Sequence, residues 1–139
     1  MNEAVPRPGR LSTPVTAEYW RAAAEGRLLL RTCRTCGHRQ LYPRSMCVRC
    51  WSEDLGWHEA AGAGTVWAFT VIEVPGHPAW RSMTPYAVVI VELDECPRLL
   101  SGLLEQRAYD VRIGQRVRAV TEANGDPTGP IPYFVPAES

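Results

Sequence analysis

The stretch that decides the fold is Cys33-Arg34-Thr35-Cys36-Gly37-His38-Arg39-Gln40-Leu41-Tyr42-Pro43-Arg44-Ser45-Met46-Cys47-Val48-Arg49-Cys50, which reads C-x2-C, ten residues, C-x2-C. Two cysteines three positions apart can turn both sulfurs toward one point, and a second such pair completes a tetrahedral all-sulfur set. Four thiolates leave no coordination position open, so the pattern points to one closed, structural Zn2+ site at Cys33, Cys36, Cys47 and Cys50. Gly37 after Cys36 suits a tight knuckle, because glycine reaches positive φ without steric cost. Tyr42-Pro43 can begin the return of a short hairpin. The competing readings are two disulfides or idle buried thiols, His38 replacing one cysteine as ligand, and iron, which four tetrahedral thiolates also suit.

Length and composition bound the rest. A chain of 139 residues is one domain or two very small ones. No run approaches the ~18 apolar residues of a transmembrane helix. The N-terminus, Met1-Asn2-Glu3-Ala4-Val5-Pro6-Arg7-Pro8-Gly9, has no apolar core behind it, so no secretory signal is expected. Paired thiolates in such a chain imply a reducing compartment, and the expected location is cytoplasmic, with no membrane contact.

The zero net charge hides an asymmetry. From Gly26 to Ser52 there are six arginines (Arg27, Arg31, Arg34, Arg39, Arg44, Arg49) and no acid, whereas residues 53–139 carry six arginines against twelve acids. One explanation is that arginines offset an anionic metal site and solvate a small module. The other is an anionic partner: nucleic acid, a CoA phosphate or an acidic protein surface. All fifteen basic residues are arginine, which excludes Schiff-base chemistry and lysine general bases.

In chain order, residues 1–12 read as a loose tail. Thr13-Pro14 reads as an N-cap with proline at the first helical position. Val15, Tyr19, Ala22 and Ala23 then share one face of a helix over Val15–Glu25, widened by Trp20 and ended by Gly26. Tyr19 and Trp20 are too large for so short a helix to cover, so they are expected to anchor a partner-facing surface made by helix and ribbon. Leu28-Leu29-Leu30 is a brief strand into the metal site. Beyond residue 60 come Thr65–Val74, apolar on both faces for most of its length, Tyr86–Leu93, Arg98–Leu104, Gln115–Glu122 and Ile131–Val135. Five strands with no helix among them argue for a small closed barrel, and Gly102 inside a strand suits the bulge that closure needs. The expected organisation is tail and helix over 1–26, metal ribbon over 27–59 and barrel over 60–139.

This ordered set resembles a known family. The aromatic-Trp pair in the helix, Gly26-Arg27-Leu28, the two CxxC pairs around Tyr42-Pro43-Arg44 and Gly62-Ala63-Gly64-Thr65-Val66 carry the first half. Pro85-Tyr86, Val91-Glu92-Leu93-Asp94, Arg112-Ile113-Gly114-Gln115-Arg116-Val117 and Pro132-Tyr133-Phe134 carry the second. The chain is similar to stand-alone zinc-ribbon/OB-fold proteins of acyl-CoA and lipid metabolism, long catalogued as a domain of unknown function. The resemblance implies a mainly β fold: a short N-terminal helix, a rubredoxin-like zinc ribbon and a five-stranded OB barrel. It also implies an accessory subunit without catalysis of its own, bound to a thiolase-fold or lipid-transfer-type enzyme. That enzyme would be an acyl-CoA acetyltransferase, a thiolase, a retro-aldolase or a polyketide acyltransferase, and this chain would support its acyl-CoA site. Two departures stand out: Cys96, where glycine is more usual, and Trp51, where a small residue is common.

The residues themselves supply little chemistry. Cys96 has no histidine near it in sequence, and a nucleophile needs a base within hydrogen-bond reach. His77 lies in the Pro75–Pro85 loop, where it reads as an ordinary loop histidine with a proton-transfer role as the alternative. That loop carries Trp80, Arg81 and Met83, with Tyr86 behind it, and is the candidate for closest approach to a partner's acyl-CoA: Trp80 and Met83 along the acyl chain, Arg81 on a phosphate. The alternative reading is a loop that packs back on the barrel. A nucleic-acid-binding ribbon/OB module is the reading from another class; it suits the arginines but not the acidic barrel, which would repel a phosphate backbone.

Overall fold

Two threonines start the ordered chain in the computed structural model of this protein, which describes residues 8–122 and 129–137. The Thr13 N–H donates to Thr16 Oγ1 and the Thr16 N–H to the Thr13 carbonyl, each at 3.0 Å, closing a turn ahead of helix α1 (Ala17–Ala24). The helix is therefore shorter than the expected Val15–Glu25. It ends as a Schellman motif: Arg27 N–H donates to Ala22 O and Gly26 N–H to Ala23 O, with Gly26 at φ +80°.

Strand β1 (Leu28–Cys33) is the centre of a three-stranded antiparallel sheet, between β2 (Arg39–Gln40) and β3 (Leu55–Ala60). Its pairing with β3 runs in register from Leu28 opposite Ala60 to Cys33 opposite Leu55. The next strands are β4 (Ala63–Ile72), β5 (Tyr86–Leu93), β6 (Arg98–Leu103), β7 (Arg116–Glu122) and β8 (Ile131–Pro136), which close into a barrel in the order β4-β5-β6-β8-β7. Closure is made where Ala63–Thr65 pairs antiparallel with Arg116–Arg118, and where Leu103 of β6 meets Phe134 of β8 in parallel. The mainly β fold of helix, ribbon and five-stranded barrel is the one expected. Residues 123–128, between β7 and β8, lie outside the described residues.

Inward side chains of β5 (Ala87, Val89, Val91, Leu93) join Val66, Leu99, Leu103, Val117 and Phe134 in one core. The irregularity that bends the barrel is not at Gly102. It lies on β4 between Val66 and Ala68, where Trp67 is the extra residue and its ring is pushed outward. Gly102 serves a close approach instead: a Cβ there would stand 3.2 Å from the Tyr133 ring. The loop before β5 is also more ordered than expected, holding a 3-10 turn over Pro78–Met83.

One expectation is corrected outright. Tyr19 and Trp20 are not exposed anchors; only 2% and 9% of their surface reaches solvent. The cover comes from elements distant in sequence. Helix α1 packs on β1 and on β7 and β8 of the barrel. Tyr42 of the ribbon then closes over both rings, with centroids 5.4 Å from Tyr19 and 6.0 Å from Trp20. The three aromatics form an edge-on cluster where helix, ribbon and barrel meet. Trp20→Ala should therefore cost about 3–5 kcal/mol of stability in urea unfolding, as truncations of buried large aromatics do. An unfolding midpoint within error of the native one would put these rings back on the surface.

Candidate metal centre and adjoining clefts

The two knuckles are built alike. In the first, Gly37 N–H donates to Cys33 O at 2.9 Å; in the second, Trp51 N–H donates to Cys47 O at 2.9 Å. The residue after each second cysteine takes positive φ, +79° at Gly37 and +66° at Trp51. Backbone N–H groups also point at sulfur, Cys36 N–H at Cys33 Sγ and Arg49 N–H at Cys47 Sγ, each at 3.4 Å. Sequence reading missed Gln40, which is buried and locks the knuckles together. Its Nε2 donates to Met46 O and its Oε1 accepts from Val48 N–H, both at 3.0 Å. A lone glutamine between cysteine pairs carries no sequence signal for that role.

The result is convergence of the four sulfurs of Cys33, Cys36, Cys47 and Cys50, all within 4.8 Å of one another. Cys33 Sγ lies 3.6 Å from Cys50 Sγ, and Cys36 Sγ lies 3.7 Å from Cys47 Sγ. A tetrahedron with Zn–S bonds near 2.3 Å has S···S edges of about 3.8 Å, so the set fits one Zn2+. All four cysteines are free thiols, which removes the disulfide reading. His38 is not among the converging groups; its carbonyl accepts from Cys33 N–H at 2.8 Å.

The electrostatics call for a cation. The Cys36 backbone N–H on its sulfur brings the Cys33 thiol down to about 6. The Ser52 backbone N–H favours the Cys50 thiolate, but desolvation and the three neighbouring sulfurs outweigh it and push that thiol up to about 12. Four thiolates cannot share this space unaided, and a bound Zn2+ would supply the missing charge and close the ribbon.

Two clefts adjoin the ribbon. One, of about 500 Å³, has a floor from the outer face of β5 and β6 (Val88, Leu100, Gly102) and a wall from Trp20, Tyr42 and Arg10. Trp80, Met83 and Tyr86 line it; Arg81 does not. The Trp80 and Tyr86 rings lie tilted against each other with centroids 5.8 Å apart, and His77 Nδ1 accepts from Ala79 N–H at 3.0 Å, so His77 caps the turn that carries Trp80. The indole N–H of Trp20 is buried in the wall without an acceptor among the described residues. Among the described residues, no histidine, cysteine or carboxylate lines this cleft. The second cleft, about 630 Å³, has a mixed lining and lies between the knuckles and the β5–β6 turn; it includes His38, Arg39, Arg49, Glu95, Cys96 and Arg98 beside Leu41, Val48 and Pro97.

A four-cysteine ribbon set against a closed five-stranded barrel defines a zinc-ribbon/OB-fold protein. The model of the ChsH2 rubredoxin-like zinc ribbon domain matches residues 20–56, and that of the ChsH2 C-terminal OB-fold domain matches residues 57–122. In a structure of the Ltp2-ChsH2(DUF35) aldolase, one chain superimposes with a TM-score of 0.81 at 33% identity, over 95% of this chain and 100% of that one. This chain belongs to the ChsH2/DUF35 family. A DUF35-family protein of unknown function from Sulfolobus solfataricus has the same fold, with a TM-score of 0.64 at 14% identity over 89% of this chain and 86% of its own.

Curated relatives include a DUF35 domain-containing scaffold protein from Methanocaldococcus jannaschii, 29% identical over 79% of this chain and 79% of its own. A probable enoyl-CoA hydratase alpha subunit from Thermomonospora curvata is 35% identical over 87% of this chain. The chain spans only 37% of that protein's length.

Metal analysis of the purified protein should give close to one zinc per chain. Cys47→Ser should lose the metal and unfold the ribbon, because binding energy at such a site is folding energy. Zinc retention should also fall as the medium is acidified, since the ligands must be deprotonated. Stoichiometric iron, or full zinc in Cys47→Ser, would contradict the assignment.

Proposed function

We propose that this chain is a non-catalytic accessory subunit that binds a thiolase-fold enzyme and supports that enzyme's acyl-CoA site. The observation that carries this reading is the 500 Å³ cleft: apolar, of ligand size, and lined among the described residues by no histidine, cysteine or carboxylate, while its one serine, Ser101, donates to Pro132 O at 2.9 Å with no base beside it in the lining. Such a cleft supplies surface for a chain or ring, while the reacting groups come from elsewhere. Trp80, Met83 and Tyr86 are the residues in contact with the apolar part of the substrate. Arg81, on the same turn but outside the lining, meets a phosphate beyond the cleft as a charge-assisted donor. The likeness to a chain of an Ltp2-ChsH2 aldolase and to proteins described as scaffolds supports the accessory role.

The nucleic-acid reading has less support. The barrel's exposed Trp67 has its ring face covered by Arg98, 3.8 Å from the centroid, and Arg98 is itself paired with Glu92 at 3.1 Å. A base has no free platform there.

Purification of the tagged chain from its own host should bring down a thiolase-fold protein. In the recombined complex, Trp80→Ala and Met83→Ala should each raise KM for acyl-CoA, or lower kcat, by about tenfold, the effect of losing ~1.4 kcal/mol of contact. The amount of complex should not change. Unchanged kinetics in both variants would remove the cleft from the substrate path.

A further inference from the structure

We propose that the second knuckle of the ribbon is a docking surface for an acidic face of a partner protein, with Trp51 as apolar anchor and Arg39 and Arg49 as cations. This extends the reading that the chain works bound to another protein, and assigns a surface to that contact.

The first observation is Trp51 itself. It occupies the position that glycine holds in the first knuckle, with the same hydrogen bond to the first cysteine and the same positive φ. For a non-glycine residue this backbone is unfavourable, and a side chain there normally compensates by packing. Trp51 does not pack: 76% of it is exposed. A large aromatic held in a strained conformation by a metal knuckle and presented to solvent contributes nothing to the isolated chain. Strain that persists without a local benefit points to a role in binding.

The second observation is charge. Other ribbon arginines are engaged: Arg27 with Glu59 at 3.5 Å, Arg34 with Asp54 at 2.9 Å, and Arg31 over the Trp57 ring at 4.2 Å. Arg39, Arg44 and Arg49 have no ion pair among the described residues. Arg39 and Arg49 line the same cleft, whose one acid among the described residues, Glu95, accepts the Ala61 N–H through Oε2 at 2.8 Å. Met46 and Val48, 41% and 53% exposed, stand on the same knuckle. Gln40 ties β2, and with it Arg39, to Met46 and Val48, and the exposed Met46, Val48, Arg49 and Trp51 follow one another along the knuckle; an arginine among apolar side chains is the composition of a protein-binding patch. The exposed tryptophan and aliphatics beside these arginines favour a protein face over a polyphosphate, which would pair with the cations and leave the apolar groups uncovered.

The test uses the protein that co-purifies with this chain, separated and recombined with native and variant chains. Trp51→Gly should raise Kd at least about tenfold while the melting temperature is unchanged or higher, because glycine relieves the positive φ. Arg39→Gln with Arg49→Gln should raise Kd at low salt and flatten its dependence on ionic strength. Zinc content should hold in both. If the variants bind as tightly as the native chain, this surface is wrong while the accessory reading stands. If no protein co-purifies, both fail. If an oligo-dT 20-mer binds the native chain and is lost in the arginine pair, the patch is a nucleic-acid face and the proposal is overturned.

Discussion

Four sulfurs drawn to one point hold this molecule together. The ribbon has almost no apolar interior of its own; its separate cluster of buried residues is Cys33, Cys47 and Leu55. A segment with so little to bury cannot offset the entropy of ordering its backbone. Metal–thiolate bonds replace the missing core. Both knuckle turns, the N–H···S contacts and the Gln40 cross-link follow from that convergence.

The barrel has the opposite problem, since its early strands are apolar on the outside as well as within. On β5, Ala87, Val89, Val91 and Leu93 fill the interior, while Tyr86, Val88 and Ile90 face out and are only half-buried. Helix α1, packed on β7 and β8, and the ribbon's Tyr42 stand beside that outer face and wall it off as the cleft. The cleft is thus a product of assembly, with walls from residues more than a hundred positions apart, such as Trp20 and Tyr133. The metal acts on it at a distance by fixing the ribbon that carries Tyr42.

What could be read from the sequence follows from what is local. The cysteine ligands were legible because C-x2-C spacing is itself the geometry of half a site. The barrel strands were legible because β-branched runs announce themselves. Strand β3 was not: Gly56 breaks its alternation, and only its six-residue register with β1 makes it a strand. The bulge at Trp67 was missed for the same reason, being set by barrel closure; the turn over Pro78–Met83 is local, and its signal was the His77 cap ahead of Pro78. Tyr19 and Trp20 read as surface because a helix of two turns cannot bury them; the ribbon and barrel that do are invisible to periodicity. The glycine-like backbone of Trp51 carries no sequence mark beyond an odd residue after Cys50.

Hydrogen exchange with and without a zinc chelator tests most directly whether the ribbon is the clamp that assembles this surface. Chelation should deprotect the knuckle amides of Gly37, Cys47 and Trp51 and, with them, helix α1, which relies on Tyr42 for its cover. Barrel strands β4 to β7 should keep their protection. A helix that stays protected after zinc is removed would contradict the coupling, as would a barrel that melts with the ribbon.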